Sequence, residues 1–233
     1  ATTQRLAQQA ARKAVVEYEQ LEAILTSEAA LKQSSFVLPT RTFVMGDADA
    51  QMKAAPNKLE GEQMVRGQEH FYLEGQAALA VPQEGGDMLV HSSTQHPTEI
   101  QHKVAEALGV PMHGVRVETR RMGGGFGGKE SQGNALAVAC AVAARHTGRA
   151  CKMRYDRDDD MMITGKRHDL RIGYRAGITA EGRILGLEFT HHFRCGWSQD
   201  LSLPVADRAM LHADNCYHLP DIRIESHRLR TNT

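Results

Sequence analysis

The glycine-rich string R-R-M-G-G-G-F-G-G-K-E, at residues 120–130, constrains this chain more than any other feature. Five glycines fall among the six residues 123–128. Because glycine has no Cβ, such a backbone can adopt positive φ and approach a bound group closely. A helical pattern follows at Ser131–His146, and it is predicted to direct its free N–H groups and the positive end of its dipole at the loop. The loop is therefore a candidate site for an anion or phosphate-like group. A glycine-rich surface turn is the alternative.

Two phosphate-binding motifs fit the string only in part. The glycines satisfy G-x-G-x-x-G, but the strand before them, V-R-V-E-T at 115–119, is charged at every second position. The first strand of a dinucleotide-binding unit is instead a continuous apolar run. Gly123–Lys129 also satisfies G-x-x-x-x-G-K, yet Glu130 stands where a Ser or Thr hydroxyl would bind Mg²⁺. A nucleotide-binding domain built on Gly123–Lys129 is kept as an alternative.

Composition excludes several classes of protein. Lys plus Arg and Asp plus Glu both number 28, so the net charge of zero argues against a nucleic-acid partner. The longest apolar run, residues 135–144, is about half of the length that a membrane span requires, so no membrane partner is predicted. The four cysteines form no C-x-x-C pair, which argues against a zinc ribbon or an iron–sulfur site on this chain. Reduced thiols and a cytoplasmic location are predicted.

Helical and strand patterns mix without regular βαβ alternation, which predicts an α+β fold. Residues 39–60 contain two turn signals and are predicted to be an irregular connecting segment. The acidic run 156–160 is flanked by basic residues, which favours a salt-bridged loop over a metal site. Helices are predicted at residues 3–14, 27–32, 97–108, 131–146 and 205–211, and strands at 15–18, 58–66, 72–81, 88–92, 115–119, 150–155, 170–178 and 183–193.

The glycine string resembles one family, the molybdenum hydroxylases, and within it the xanthine dehydrogenases. Other segments agree with that family in the same order along the chain. They are G-Q-E-H-F-Y-L-E at 67–74, S-S-T-Q at 92–95, D-R-D-D-D-M at 156–161, I-T-G-K-R-H at 163–168, Q-D-L-S at 199–202 and D-N-C-Y at 214–217. The resemblance implies mixed sheets with packed helices, as in the first part of the molybdopterin-binding region.

The resemblance also implies a domain division. Residues 1–30 would be the C-terminal tail of an α/β hammerhead domain, and residues 31–233 would be a first molybdopterin-binding domain that is incomplete at its C-terminus. The chain starts without Met and ends without a stop signal, so we expect it to be part of a longer polypeptide. The family's catalytic base, a Glu near the far end of the molybdenum subunit, would lie outside this chain. The fragment alone is therefore expected to be inactive.

The family's chemistry implies the cofactors and partners. A xanthine dehydrogenase hydroxylates hypoxanthine and xanthine, giving urate, with oxygen from water at a molybdenum–pyranopterin (molybdopterin) centre that bears hydroxide and sulfido ligands. Electrons would pass through [2Fe–2S] clusters and FAD to NAD, all held outside this chain. The implied partners are the purine substrate, the rest of the molybdenum subunit and the Fe–S/FAD subunit or domain.

Five residues are implied to contact the cofactor. Gln95 would face a metal-oxo group with its amide, which donates a hydrogen bond without adding charge; a surface glutamine is the alternative. The backbone of Phe126 would lie beside the molybdenum with Gly127 next to it, and a buried core aromatic is the alternative for Phe126. Gly124 and Gly125 would lie along the pterin.

Two charged residues are implied to bind the purine. Glu130 matches a Glu that moves charge onto the purine ring, whereas the aldehyde oxidases carry an apolar residue there; a first-turn helix Glu is the alternative. Arg208 matches an Arg that faces the substrate oxygen opposite the attacked carbon, and a salt bridge with Asp207 or Asp200 is the alternative. Two other functions stay open, an aldehyde-oxidising enzyme of the same family and a non-catalytic assembly domain.

Overall fold

The computed structural model describes residues 1–232 and confirms the predicted α+β class. Within these residues, nine strands form two mixed sheets and seven α-helices pack around them. The helices are α1 (Gln4–Ala11), α2 (Ser27–Lys32), α3 (Ala48–Ala54), α4 (Pro97–Leu108), α5 (Asn134–Thr147), α6 (Arg157–Ile163) and α7 (Ser202–Leu211). The strands are β1 (Phe36–Met45), β2 (Asn57–Val65), β3 (Ala77–Pro82), β4 (Met88–Ser92), β5 (Val115–Glu118), β6 (Cys151–Arg154), β7 (Asp169–Ile178), β8 (Ile184–Arg194) and β9 (Ile222–Leu229).

The smaller sheet has the strand order β5-β4-β3-β6, in which only the β5–β4 pair is parallel. Helices α4 and α5 pack on this sheet, and their apolar sides form one core with it: Val90 of β4, Ile100 and Val104 of α4, and Leu136 of α5 are all buried. Full burial of each such side chain is worth about 1.5–3 kcal/mol. Helix α4 ends at Gly109, whose φ of 64° is the left-handed conformation that glycine adopts without strain.

The larger sheet has the order β1-β9-β8-β7-β2, and its second core lies under β7, β8 and β9. Helix α3 packs on the point where Gly177 of β7 faces Gly186 of β8. A Cβ at Gly177 would lie 2.9 Å from the Cα of Met52, and one at Gly186 would lie 2.8 Å from the carbonyl oxygen of Ala48. The glycine pair therefore allows the helix to lie directly against the strands.

Three predictions about elements are wrong. Residues 39–60 are not a connecting segment, because they include parts of the edge strands β1 and β2 together with α3. Residues 15–18 form no strand, and Val15 and Tyr18 are 88% and 84% exposed. The acidic run is helix α6 with Asp156 as its N-cap, whose side chain accepts a 2.9 Å hydrogen bond from the Asp159 N–H.

No helix within residues 1–232 combines the length and the apolar character of a membrane span.

Candidate functional site

The glycine loop, defined here as residues 123–129, follows β5 and lies beside the chain that leaves β4. Helix α5 begins at Asn134 and not at Ser131, so residues 130–133 separate the loop from the first helical turn. The loop therefore does not open the helix directly. The alternative that Glu130 is a first-turn residue of this helix is wrong for the same reason.

A tight turn forms the tip of the loop. The N–H of Gly128 donates a 2.7 Å hydrogen bond to the carbonyl oxygen of Gly125, and the two residues between them have φ values of 54° (Phe126) and 88° (Gly127). Positive φ at both central positions is typical of a type I′ turn. For a residue with a Cβ, such as Phe126, this conformation costs on the order of 1–3 kcal/mol. The Phe126 side chain is 74% exposed, so the core-aromatic alternative is wrong.

Gln95, which follows β4, holds the loop from one side. Its side-chain Oε1 accepts hydrogen bonds from the N–H of Gly127 at 3.0 Å and from the N–H of Lys129 at 3.2 Å. Its own N–H donates to the carbonyl oxygen of Lys129 at 2.8 Å. A Cβ at Gly125 would lie 2.4 Å from Oε1, so this contact requires glycine. The Gln95 Nε2 has no hydrogen-bond acceptor within residues 1–232 and is a free donor beside the loop.

Glu74 holds both ends of the loop. Its Oε2 accepts hydrogen bonds from the N–H of Gly123 at 2.8 Å and from the Nζ of Lys129 at 3.2 Å. Partial burial alone would raise the pKa of Glu74, but the hydrogen bonds from Gly123, Ser93 and Lys129 outweigh it and lower the pKa. The carboxylate is therefore charged at neutral pH, and it fixes the span of the loop.

Lys129 points away from the loop surface and into the protein. Its side chain is 0% exposed. Its Nζ donates a 2.8 Å hydrogen bond to the Oγ of Ser93 and lies 4.6 Å from the centre of the Tyr72 ring. Burial lowers the pKa of Lys129, and the pairing with Glu74 partly offsets that effect. A P-loop lysine has to reach phosphate groups, so the nucleotide-binding alternative built on Gly123–Lys129 is wrong.

A buried polar network supports the loop from below. The hydroxyl of Tyr72 donates a 2.5 Å hydrogen bond to Asp160 Oδ1, and the N–H of Gln76 donates to Asp160 Oδ2 at 2.7 Å. The Gln76 Nε2 in turn donates to the carbonyl oxygen of Gly128 at 2.9 Å. Burial, and then the hydrogen bond to Asp160, raise the pKa of Tyr72 to about 12. The end of the acidic run is thus a structural support, which sequence reasoning missed.

Arg208 lies on α7 and is exposed. The alternative salt bridges are wrong, because other groups bind both candidate carboxylates. Asp207 pairs with Arg41 at 2.9 Å and with Arg228 at 2.5 Å. Asp200 accepts hydrogen bonds from two side chains of the segment after the glycine loop. Within the part of the chain that the structure describes, the Arg208 guanidinium therefore has no acidic partner.

Glu130 is partly buried, and its carboxylate makes no hydrogen bond or ion pair inside residues 1–232. The two residues after it bind Asp200: the Oγ of Ser131 donates at 2.6 Å, and the Nε2 of Gln132 donates at 3.0 Å. Asp200 lies two residues before the first residue of α7, the helix that carries Arg208. The segment with the free carboxylate and the helix with the free guanidinium are therefore joined by hydrogen bonds.

Two cavities lie away from the glycine loop. One of about 460 Å³ is lined by residues of β2, β7 and β8, including Tyr174. Another, of about 370 Å³, lies between α4 and β5 and is lined by Gln101 and Arg116 among others. Neither is lined by a residue of the glycine loop, by Gln95 or by Glu130.

Comparison with known proteins identifies the family. The sequence model described as a molybdopterin cofactor-binding domain matches residues 32–233. The chain belongs to this family. Among its relatives, a xanthine dehydrogenase/oxidase of Gallus gallus is 42% identical over 233 residues, which is 100% of this chain and 17% of that protein. A xanthine dehydrogenase of Calliphora vicina is 41% identical over 224 residues, 95% of this chain and 17% of that protein. The chain thus spans 17% of these relatives' length.

Solved structures agree with the family. The aldehyde oxidoreductase of Desulfovibrio gigas has a TM-score of 0.89 and 25% identity, over 100% of this chain and 26% of that one. The quinoline 2-oxidoreductase of Pseudomonas putida 86 has a TM-score of 0.87 and 22% identity, over 100% of this chain and 31% of that one, and shares the fold. The predicted family, mixed-sheet fold and molybdopterin cofactor are confirmed.

The loop of this molybdopterin cofactor-binding domain fits such a group. The backbone N–H groups of Gly124, Gly125 and Phe126 have no acceptor within the described residues, and the Gln95 Nε2 is a further free donor. A Cβ added at Gly127 would meet nothing closer than Glu130 Oε1, 3.9 Å away, so the outer face of the turn is open. Bare amides around an open backbone suit a phosphate and a hydrogen-bonding ring system.

Proposed function

We propose that this chain is part of the molybdenum-binding subunit of a xanthine dehydrogenase, which oxidises hypoxanthine to xanthine and xanthine to urate. The identity of 40–42% to xanthine dehydrogenases over nearly the whole chain supports this proposal. The observation that carries it is the pair of free charges, Glu130 and Arg208, on two segments that Asp200 joins. An oxidised purine offers N–H donors, which a carboxylate such as Glu130 can accept, and carbonyl acceptors, to which a guanidinium such as Arg208 can donate.

The residues of the loop would hold the cofactor. Gly124 and Gly125 would lie along the pterin, with Gly127 and the backbone of Phe126 beside the molybdenum, and the free Nε2 of Gln95 would donate a hydrogen bond to an oxo ligand. When bound, the molybdenum centre supplies the oxygen taken from water and accepts two electrons. A preorganised amide donor stabilises charge without reorganising during the reaction. The two hydrogen bonds that Oε1 accepts hold the Gln95 amide in one orientation before the reaction.

Glu130 and Arg208 would bind and polarise the purine. The guanidinium would stabilise the negative charge that builds on the substrate oxygen as the ring carbon is attacked, because a planar fork of donors matches such an oxygen. The carboxylate of Glu130 would accept a ring N–H and favour delocalisation of charge. Neither group has to break an internal ion pair first, since both lack one within residues 1–232.

The rest of the machinery would lie outside this chain. We propose that residues 1–30 end a hammerhead domain and that residues 31–233 begin the molybdopterin-binding region; the family match from residue 32 supports this division. The catalytic base, the remaining molybdenum subunit and the Fe–S/FAD part would complete the enzyme and pass electrons through [2Fe–2S] clusters and FAD to NAD. Four unpaired cysteines support a cytoplasmic location.

The test replaces the two charges in the full-length protein that contains this chain. Glu130→Val and Arg208→Met should each lower kcat/KM for xanthine by about 10²–10³-fold, with molybdenum content unchanged and oxidation of an aromatic aldehyde largely retained. Arg183→Met is the matched control, because Arg183 is exposed and its side chain has no partner within residues 1–232.

Other outcomes would favour the alternatives. Equal losses with xanthine and aldehyde would favour an aldehyde-oxidising enzyme of the family. Stable pairing with another chain in the absence of pterin, with no turnover of either substrate, would favour an assembly domain. The purified 233-residue chain should not turn over xanthine with an artificial acceptor, and clear turnover would contradict the proposed incomplete site.

A further inference from the structure

Asp200 joins three segments around the candidate substrate site. Its Oδ1 accepts a 2.6 Å hydrogen bond from the Oγ of Ser131, and its Oδ2 accepts one of 3.0 Å from the Nε2 of Gln132. The other end of the Gln132 amide, Oε1, accepts a 2.9 Å hydrogen bond from the N–H of Gly165. Each oxygen of the exposed Asp200 carboxylate thus accepts one hydrogen bond from the chain that directly follows Glu130.

The backbone at Asp200 is also in an unusual conformation. Its φ is 38°, which non-glycine residues adopt rarely and at a cost in energy. Such a conformation persists where neighbouring contacts hold it, and the two hydrogen bonds from Ser131 and Gln132 are such contacts. The hydrogen bonds with the segment that follows the glycine loop therefore help to hold Asp200 in this conformation.

A second contact fixes the start of α7. Ser202 is 1% exposed, and its Oγ lies 2.8 Å from the Nε2 of His168. Burial lowers the pKa of His168, so its ring is neutral near pH 7. Arg208 lies six residues further along α7, or about 9 Å along the helix axis. Anchors at Asp200 and Ser202 consequently fix the place from which Arg208 projects.

We propose that Asp200 is a positioning residue that sets the separation between Glu130 and Arg208 and thereby favours purines over aldehydes at this site. This inference rests on the proposed function of Glu130 and Arg208. Opposite charges attract, so a mobile Arg208 would pair with Glu130 or with a free Asp200 carboxylate and would be lost to the substrate. By engaging its own carboxylate with Ser131 and Gln132, Asp200 holds α7 in place and leaves the guanidinium free.

The test compares two substrates in the full-length, cofactor-loaded protein. Asp200→Ala should raise KM for xanthine and lower kcat/KM by about ten- to a hundredfold, since small misplacements of binding groups have effects of this size. Oxidation of an aromatic aldehyde should change by no more than about twofold, because an aldehyde does not use the charge pair. Molybdenum content should be that of the wild type. The control is Asp214→Ala, since the exposed Asp214 side chain has no partner within residues 1–232.

Two further variants keep the inference testable if Asp200→Ala fails to fold. Ser131→Ala removes the 2.6 Å hydrogen bond from the other side without altering charge, and it should raise KM for xanthine in the same direction by a smaller factor. Asp200→Asn keeps an acceptor for Ser131, and it should recover part of the xanthine activity that Asp200→Ala loses.

Two results would overturn the inference while leaving the proposed function intact. They are wild-type xanthine kinetics in both Asp200→Ala and Ser131→Ala, and equal losses for xanthine and aldehyde at unchanged molybdenum content. A wild-type protein that contains molybdenum and oxidises aldehydes but not xanthine would overturn the proposed function, and with it the inference. The two failures are therefore distinguishable.

Discussion

Replacing Gly125 with Ala tests whether the glycine loop positions Gln95. The added Cβ would lie 2.4 Å from the Oε1 of Gln95 and 2.7 Å from its Cδ. Because the Gln95 side chain is exposed, it has room to rotate away and would do so before the backbone moved. The rotation would break the hydrogen bonds of 3.0 and 3.2 Å from Gly127 and Lys129.

The magnitude follows from these two contacts. Each neutral hydrogen bond contributes about 0.5–1.5 kcal/mol, so the turn would lose about 1–3 kcal/mol of local stability. The larger effect concerns activity, since the Nε2 donor of Gln95 would leave its place beside the cofactor. Loss of one preorganised donor lowers kcat by about 10²–10³-fold. Gly125→Ala and Gln95→Ala should therefore have similar effects, although the first does not touch the Gln95 side chain chemically.

A double-mutant cycle provides the assay. The kcat and the molybdenum content of the full-length protein would be measured for Gly125→Ala, for Gln95→Ala and for both together. If both substitutions remove the same interaction, the double variant should lose no more activity than either single variant. Gly173→Ala is the control, because a Cβ there meets only the Cβ of Thr190, at 3.9 Å. Multiplicative losses, or wild-type activity in Gly125→Ala, would refute the reasoning.

Two further predictions concern stability, and hydrogen exchange of backbone amides in the full-length protein measures both. Asp207→Asn should destabilise β9 by about 3–5 kcal/mol, because the Arg228 side chain is only 1% exposed and pairs with no other carboxylate within residues 1–232. Arg41→Ala is the control: this side chain is 56% exposed, so its loss should cost no more than about 1 kcal/mol. Equal losses of stability in the two variants would contradict this account. Burial lowers the pKa of His191 to about 4. As the pH falls below about 6.5, His191 therefore takes up a proton in the unfolded chain before it does so in the folded protein. Stability that is present above pH 6.5 should thus be lost towards pH 4, by up to about 1.4 kcal/mol per pH unit. Protection of β8 amides that does not change over this range, after correction for intrinsic exchange, would contradict the second prediction.

The sequence predicted well those elements whose signals are local. Helix α4 has a Pro in its first turn and ends at Gly109, and both bounds were predicted from these residues. The β7–β8 hairpin was predicted from the turn at 179–182, where the N–H of Thr179 donates to the carbonyl oxygen of Arg183 and Gly182 has a φ of 88°. The family was identified from ordered strings, which need no knowledge of contacts.

Contacts between distant residues could not be predicted. The edge strand β1 exposes most of its side chains, so it lacks the alternation that marks a half-buried strand. Helix α3 depends on Gly177 and Gly186, more than a hundred residues away along the chain. Lys129 is a loop lysine by its local pattern, and only the fold shows that it is buried against Glu74.

The attachment of both loop ends to Glu74 has a consequence for protein engineering. The Glu74 carboxylate accepts hydrogen bonds from the Gly123 N–H at one end of the loop and from the Lys129 ammonium at the other. The distance between the two ends is therefore set by a residue outside the loop. Residues 123–129 could therefore be transplanted as a closed unit only together with Glu74, Ser93 and Gln95. A graft of the glycine-rich sequence alone would not reproduce the conformation of the loop.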